Sequence, residues 1–92
     1  MKMKSINIIV KGKVQDVGYR YFALNKAIEL GINGFVMNLT DGRVKIEAEG
    51  DEINIRRYID WCRVGPPRAI VEDIEVIYSD LKNYDSFAIA YI

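Results

Sequence analysis

Hydrophobic and polar positions follow two periods along this chain, and the changes between them predict the order of its elements. Ile6, Ile8 and Val10 alternate with polar neighbours, as in a strand with one buried face. Four apolar residues instead recur at i, i+3, i+4 and i+7, which is typical of a helix with one apolar stripe: Ile55, Tyr58, Ile59 and Cys62. The pattern predicts strands over residues 5–11, 32–38, 43–49 and 70–78 and helices over 21–30 and 52–63, and it is compatible with a short fifth strand over 86–91.

The order βαββαβ predicts an α+β, ferredoxin-like sandwich in which two helices cover one face of an antiparallel sheet. Asp41-Gly42 is a hairpin signal between the second and third strands. The first two strands are joined through a helix, so we expect them to run parallel, with their C-terminal ends at one edge of the sheet. The segment 12–20 and Asn38, which follow or end these strands, should therefore be neighbours.

Composition narrows the class of protein. A chain of 92 residues predicts one domain, residues 1–92. The chain has 13 Lys and Arg and 13 Asp and Glu, so its formal net charge is zero. This balance argues against a large basic surface that would bind nucleic acid. No apolar run approaches the roughly 18 residues of a membrane span, and no signal segment follows the N-terminus. The single cysteine, Cys62, cannot form an internal disulfide, so we expect a cytoplasmic protein. We further expect a monomer without membrane or nucleic-acid partners.

Residues 12–20, Gly-Lys-Val-Gln-Asp-Val-Gly-Tyr-Arg, form the strongest candidate site. A glycine-flanked loop that leaves a strand and opens a helix can direct its N–H groups, and the positive end of the helix dipole, at an anion. Arg20 stands where the helix should begin, and its guanidinium can bind two oxygens of a phosphate. The glycine spacing fits neither a Walker A loop nor a dinucleotide fingerprint.

Asn38 is the second candidate. Its amide can orient a water molecule but cannot act as a general base at neutral pH. Orientation is sufficient when the leaving group departs without a proton, as a carboxylate does because its acid has a pKa of roughly 4 to 5. The chain also has no histidine, which removes the commonest general base and most zinc sites. An ordinary turn asparagine is the alternative interpretation.

These residues resemble the signatures of the acylphosphatase family. Residues 12–20 resemble its first signature; residues 34–38, with 41–44 and Gly50, are similar to its second; residues 65–69 resemble a further segment. The likeness extends from about residue 5 to residue 91. It implies hydrolysis of a small acyl phosphate to a carboxylate and inorganic phosphate, with no metal and no cofactor.

The resemblance also assigns roles to single residues. It implies that Arg20 binds the phosphoryl group and that Asn38 holds the attacking water. It further implies that phosphate oxygens are bound by the backbone amides of Gln15, Asp16, Val17, Gly18, Tyr19 and Arg20. Asp16 departs from the family, which usually has glycine there. A carboxylate beside a dianion predicts weakened phosphate affinity through like-charge repulsion.

Three alternatives remain from the sequence. The chain is compatible with a non-catalytic phosphate-binding or other anion-binding module of the same fold. An RNA reader of βαββαβ order is disfavoured because strands one and three lack aromatic residues for base stacking. Cys62 and Arg68 have the spacing of cysteine-dependent phosphatases, but Pro66 and Pro67 have no N–H to offer a phosphate, and Cys62 falls on an apolar helix stripe.

Overall fold

The computed structural model describes residues 2–92; Met1, the first residue of the expected domain, lies outside the described residues. The elements are β1 (Met3–Lys13), α1 (Tyr19–Glu29), β2 (Asn33–Asn38), β3 (Val44–Asp51), α2 (Glu52–Val64), β4 (Ile70–Ser79) and β5 (Phe87–Ala90). Every predicted element is present, and each end lies within two residues of the prediction. Across residues 2–92, no helix is long and apolar enough to cross a membrane.

The five strands form one sheet in the order β4-β1-β3-β2-β5. β1 pairs antiparallel with both β3 and β4, and β3 pairs antiparallel with β2. β1 and β2 therefore run in the same direction on either side of β3, as the sequence predicts. The fifth strand changes one detail, because β5 lies parallel to β2 and makes the sheet mixed. The α+β, ferredoxin-like sandwich is confirmed.

The core lies between the helices and one face of the sheet. Alternate residues of the central strands contribute side chains without solvent exposure, namely Ile6, Ile8, Val10, Val36, Val44, Ile46 and Ala48. In the predicted α2 stripe, Ile55, Tyr58 and Cys62 are fully buried, and Ile59 is partly buried against the core. Small residues on α1, Ala23 and Ala27, let that helix lie close to the sheet. The edge strands β4 and β5 contribute partly buried apolar side chains to the same core, and removing this apolar surface from water favours the folded state.

The segment that connects β4 to β5, residues 80–86, lies across the face of the sheet opposite the helices. Buried Glu49 on β3 accepts hydrogen bonds from the backbone N–H groups of Lys82 and Tyr84. Asn33 donates to the Tyr84 carbonyl oxygen at 3.0 Å. Burial raises the pKa of Glu49, but the N–H donors more than offset that effect, so the pKa lies below its usual value. The ionised carboxylate therefore stabilises this segment.

Replacing Glu49 by glutamine is expected to flatten the acid side of the stability profile. Because the folded pKa of Glu49 is depressed, its contribution is complete above the unfolded value and is lost as pH falls through the folded one. The melting temperature of the parent should fall more steeply than that of Glu49→Gln below about pH 4.5. Parallel curves would contradict this role, and Glu29→Gln, at an exposed position of α1, is the control.

Candidate active site

The loop after β1 is held by two buried valines. Val14 and Val17 are 1% and 3% exposed, so they anchor the loop to the core, while Asp16 between them is exposed. Asp16 and Gly18 adopt left-handed backbone with φ of 61° and 80°. Aspartate and glycine tolerate this region better than most residues. These two positions turn the backbone between the end of β1 and the start of α1.

The backbone N–H groups of residues 15–20 remain free of partners within the described chain. The first hydrogen bond of α1 runs from the Phe22 N–H to the Gly18 carbonyl oxygen at 3.1 Å, and no side chain caps the helix. Among residues 2–92, no carbonyl or side-chain oxygen accepts from the amides of 15–20. A concave row of unpaired N–H groups at a helix N-terminus can bind an anion.

Arg20 lies at the second position of α1 and is half-buried. Its guanidinium carbon is 5.4 Å from the ring centroid of Tyr91, a distance suited to a cation–π contact. None of the ion pairs formed within residues 2–92 involves Arg20. The positive charge is therefore positioned by an aromatic ring and is not neutralised by a carboxylate.

Asn38 is the last residue of β2, where it pairs with Val44 of β3. Its Oδ1 atom is buried and accepts no hydrogen bond from the described protein. An unsatisfied buried acceptor costs about 1–3 kcal/mol, so such an atom calls for an explanation. An acceptor held at the wall of a cavity can bind a hydrogen of a small polar molecule.

Both candidate residues line one cavity of about 170 Å³. Its lining comprises Val14, Gln15, Asp16, Gly18, Tyr19, Arg20, Tyr21, Asn38, Ile89 and Tyr91. The expected proximity of segment 12–20 and Asn38 is thus present. Val17 does not line the cavity, because its side chain is in the core; the role predicted for it concerns its backbone N–H.

The Gln15 side chain joins the loop to the hairpin between β2 and β3. Its Nε2 group donates to the Leu39 carbonyl oxygen at 2.8 Å and to the Arg43 carbonyl oxygen at 3.0 Å. These partners are 24 and 28 residues away in sequence. Local sequence patterns carry no signal for such contacts.

Sequence reasoning missed the contribution of the C-terminal residues to the cavity. Tyr91 fitted a strand by pattern, but β5 ends at Ala90, and Tyr91 lies at the cavity with Ile89. The parallel pairing of β5 with β2 brings these residues beside Asn38. Tyr19 also lines the cavity, but it is only 1% exposed and its hydroxyl donates to the Cys62 carbonyl oxygen at 2.8 Å, so most of its side chain packs in the core.

Two residues considered from sequence lie away from the cavity. Cys62 is fully buried, and burial raises the pKa of its thiol to about 12, so it is not a nucleophile at neutral pH. The side chain of Arg43 pairs with Asp41 at 2.8 Å and does not line the cavity. The Arg43 guanidinium therefore adds no second positive charge to the cavity.

Comparisons with known proteins agree on one family. A model of the acylphosphatase family matches residues 6–89. An acylphosphatase from Archaeoglobus fulgidus is 46% identical over 97% of this chain and 100% of its own, and one from Thermotoga maritima is 45% identical over 97% and 99%. The crystal structure of acylphosphatase from Bacillus subtilis superposes with a TM-score of 0.93 at 38% identity, covering 98% of this chain and 100% of that one.

Proposed function

This chain belongs to the acylphosphatase family, whose members hydrolyse acyl phosphates, and from that premise we propose how its own residues carry out the reaction. The phosphoryl group binds to the amides of residues 15–20 and to Arg20, and Asn38 directs a water molecule at phosphorus. The observation that carries the proposal is that loop residues, Arg20 and Asn38 line one cavity. Within residues 2–92, the loop amides and Asn38 Oδ1 have no hydrogen-bond partner, and the Arg20 guanidinium has no carboxylate partner.

Binding relies on donors that are already in position. The loop backbone is fixed by buried Val14 and Val17, so little reorganisation is needed when an anion arrives. Arg20 adds the positive charge that offsets the negative charge developing on the equatorial oxygens of the transition state. Its contact with Tyr91 limits the orientations of the guanidinium.

Attack requires a water molecule in line with the bond that breaks. Asn38 Oδ1 accepts one hydrogen of that water, which turns an oxygen lone pair toward phosphorus. The new P–O bond forms as the bond between phosphorus and the acyl oxygen breaks. The products are inorganic phosphate and a carboxylate.

No protein base is needed in this scheme. The leaving carboxylate departs unprotonated, because its conjugate acid has a pKa of roughly 4 to 5. The proton lost by the water passes to an oxygen of the phosphoryl group. Tyr19, whose pKa is raised by burial and whose hydroxyl is bound to the Cys62 carbonyl oxygen, is unsuited to accept it.

Hydrolysis of benzoyl phosphate, followed by ultraviolet absorbance without added metal, tests the proposal. Turnover that is inhibited competitively by inorganic phosphate is the expected result. Phosphate binding without turnover would instead support the alternative, a non-catalytic anion-binding module of the same fold.

We further propose that residues 1–92 act as one acylphosphatase-like domain, which is monomeric and cytoplasmic and has no membrane or nucleic-acid partners. Light scattering of the purified chain tests the monomer.

Asp16 is expected to weaken phosphate binding. Its exposed carboxylate stands in the loop that offers its amides to the dianion, where like charges repel. At low ionic strength, Asp16→Gly and Asp16→Asn should each lower the inhibition constant for phosphate by about two- to fivefold, and salt should reduce the effect. The two variants separate charge from backbone, since φ at Asp16 is 61° and only glycine is free of cost there. Tighter binding in Asp16→Gly alone would assign the effect to the backbone.

A further inference from the structure

We propose that the side chain of Gln15 is a positioning residue, which sets the distance and angle between the phosphate-binding loop and the water-orienting Asn38. This inference rests on the function proposed above and assigns to Gln15 a role beyond the one its backbone N–H plays. It follows from how the two halves of the site are connected.

The two halves belong to different segments. The loop amides and Arg20 follow β1, whereas Asn38 ends β2, and β3 lies between these strands. Of the hydrogen bonds found in residues 2–92, those that join segment 14–18 to segment 39–43 both come from Gln15 Nε2. At 2.8 and 3.0 Å, they use both hydrogens of the amide.

The acceptors of these bonds fix the hairpin at its base. The Leu39 N–H donates to the Arg43 carbonyl oxygen at 2.8 Å, closing the hairpin directly after Asn38. The Gln15 side chain therefore binds the backbone on both sides of the hairpin, at Leu39 and at Arg43. A shift of Leu39 moves Asn38, its immediate neighbour in the chain, relative to the loop.

No group of residues 2–92 donates a hydrogen bond that would hold Asn38 Oδ1 in place. The direction of its amide toward a bound phosphoryl group therefore depends on the backbone that carries it. A misplacement of about 1 Å in a reacting geometry can cost roughly 10² in rate. Loss of the Gln15 bonds should therefore affect the chemical step more than the binding of phosphate, which the loop and Arg20 accomplish by themselves.

The test replaces Gln15 by methionine, which has a similar shape and no donor. We expect kcat for benzoyl phosphate to fall by about 10- to 100-fold, while the inhibition constant for inorganic phosphate changes little. Gln15→Asn, whose amide is too short to span the gap, should give the same split and serves if the methionine variant is unstable. An unchanged kcat in a folded variant, or a loss confined to phosphate binding, would overturn the role.

Asn33 offers a matched control. It lies at the opposite end of β2 and makes the same kind of bond, from its Nδ2 to the Tyr84 carbonyl oxygen at 3.0 Å. Asn33→Leu removes one side-chain bond to a backbone carbonyl far from the cavity. If Gln15 were only structural, both variants would lower the melting temperature and neither would lower kcat.

A double-mutant cycle with Asn38 separates this inference from the function on which it rests. If Gln15 acts by positioning Asn38, then Gln15→Met should lower kcat in the parent but have little further effect in Asn38→Ala. Additive losses would contradict the proposal. If Asn38→Ala by itself retains parental kcat, the proposed water-orienting role fails; if Asn38→Ala loses kcat and Gln15→Met does not, only the inference about Gln15 fails.

Discussion

Arg20→Ala is expected to lower kcat/KM for benzoyl phosphate by about 10³-fold, because the variant lacks the charge that stabilises the phosphoryl group in the transition state. The guanidinium has no carboxylate partner within residues 2–92, so its removal leaves no unpaired charge behind. The fold should therefore be retained. Initial rates of hydrolysis and the inhibition constant for phosphate measure the loss, and both are expected to worsen.

Arg20→Lys distinguishes charge from geometry. Lysine keeps the positive charge but lacks the planar guanidinium group, which can bind two phosphate oxygens at once. We therefore expect only partial recovery of activity. Arg57→Ala, at an exposed position of α2, is the control for loss of an arginine. Near-parental turnover of a folded Arg20→Ala variant would exclude the role assigned to this residue.

Asn38→Ala is expected to lower kcat by about 10²–10³-fold, the usual loss when one preorganised polar group is removed. Unlike the arginine variant, it should leave the inhibition constant for phosphate nearly unchanged, since the loop and Arg20 remain. The measurement is a pair of values, kcat and the inhibition constant, from the same preparation. Loss of phosphate binding in parallel with kcat would show that Asn38 serves the binding of the anion instead.

The same variant makes a prediction about stability. Asn38 Oδ1 is buried and has no donor among residues 2–92, and removing such an acceptor relieves a cost of about 1–3 kcal/mol. We expect the free energy of unfolding of Asn38→Ala to stay the same or rise while activity falls. Asn25→Ala, at an exposed position of α1, is the control. A marked loss of stability would indicate a structural role for Asn38.

Much of the fold followed from the sequence because periodic burial is a local property. The alternation at Ile6, Ile8 and Val10 predicted β1, and the stripe through Tyr58 and Cys62 predicted the buried face of α2. The order of elements then implied that Asn38 would end its strand beside segment 12–20. The cavity that Arg20 and Asn38 share agrees with that inference.

The parts that could not be predicted depend on strand pairing between distant segments. The sequence predicted β5 only as a short addition to the sheet. Its parallel pairing with β2 places Tyr91 beside Arg20. Likewise, no pattern near Gln15 indicates bonds to carbonyl groups 24 and 28 residues away. Such contacts depend on the order and register of the strands, which the spacing of apolar residues along the chain does not indicate.

By itself, then, the sequence determined the elements, their order and the residue types available for chemistry. These properties depend on the side chains of residues that are close together in the sequence. Only the tertiary structure decided which aromatic ring contacts Arg20. It also decided that, within residues 2–92, the loop amides and the buried Asn38 Oδ1 have no hydrogen-bond partner. The physical reason is that hydrogen bonding and exposure depend on every segment that packs nearby, including segments far away along the chain.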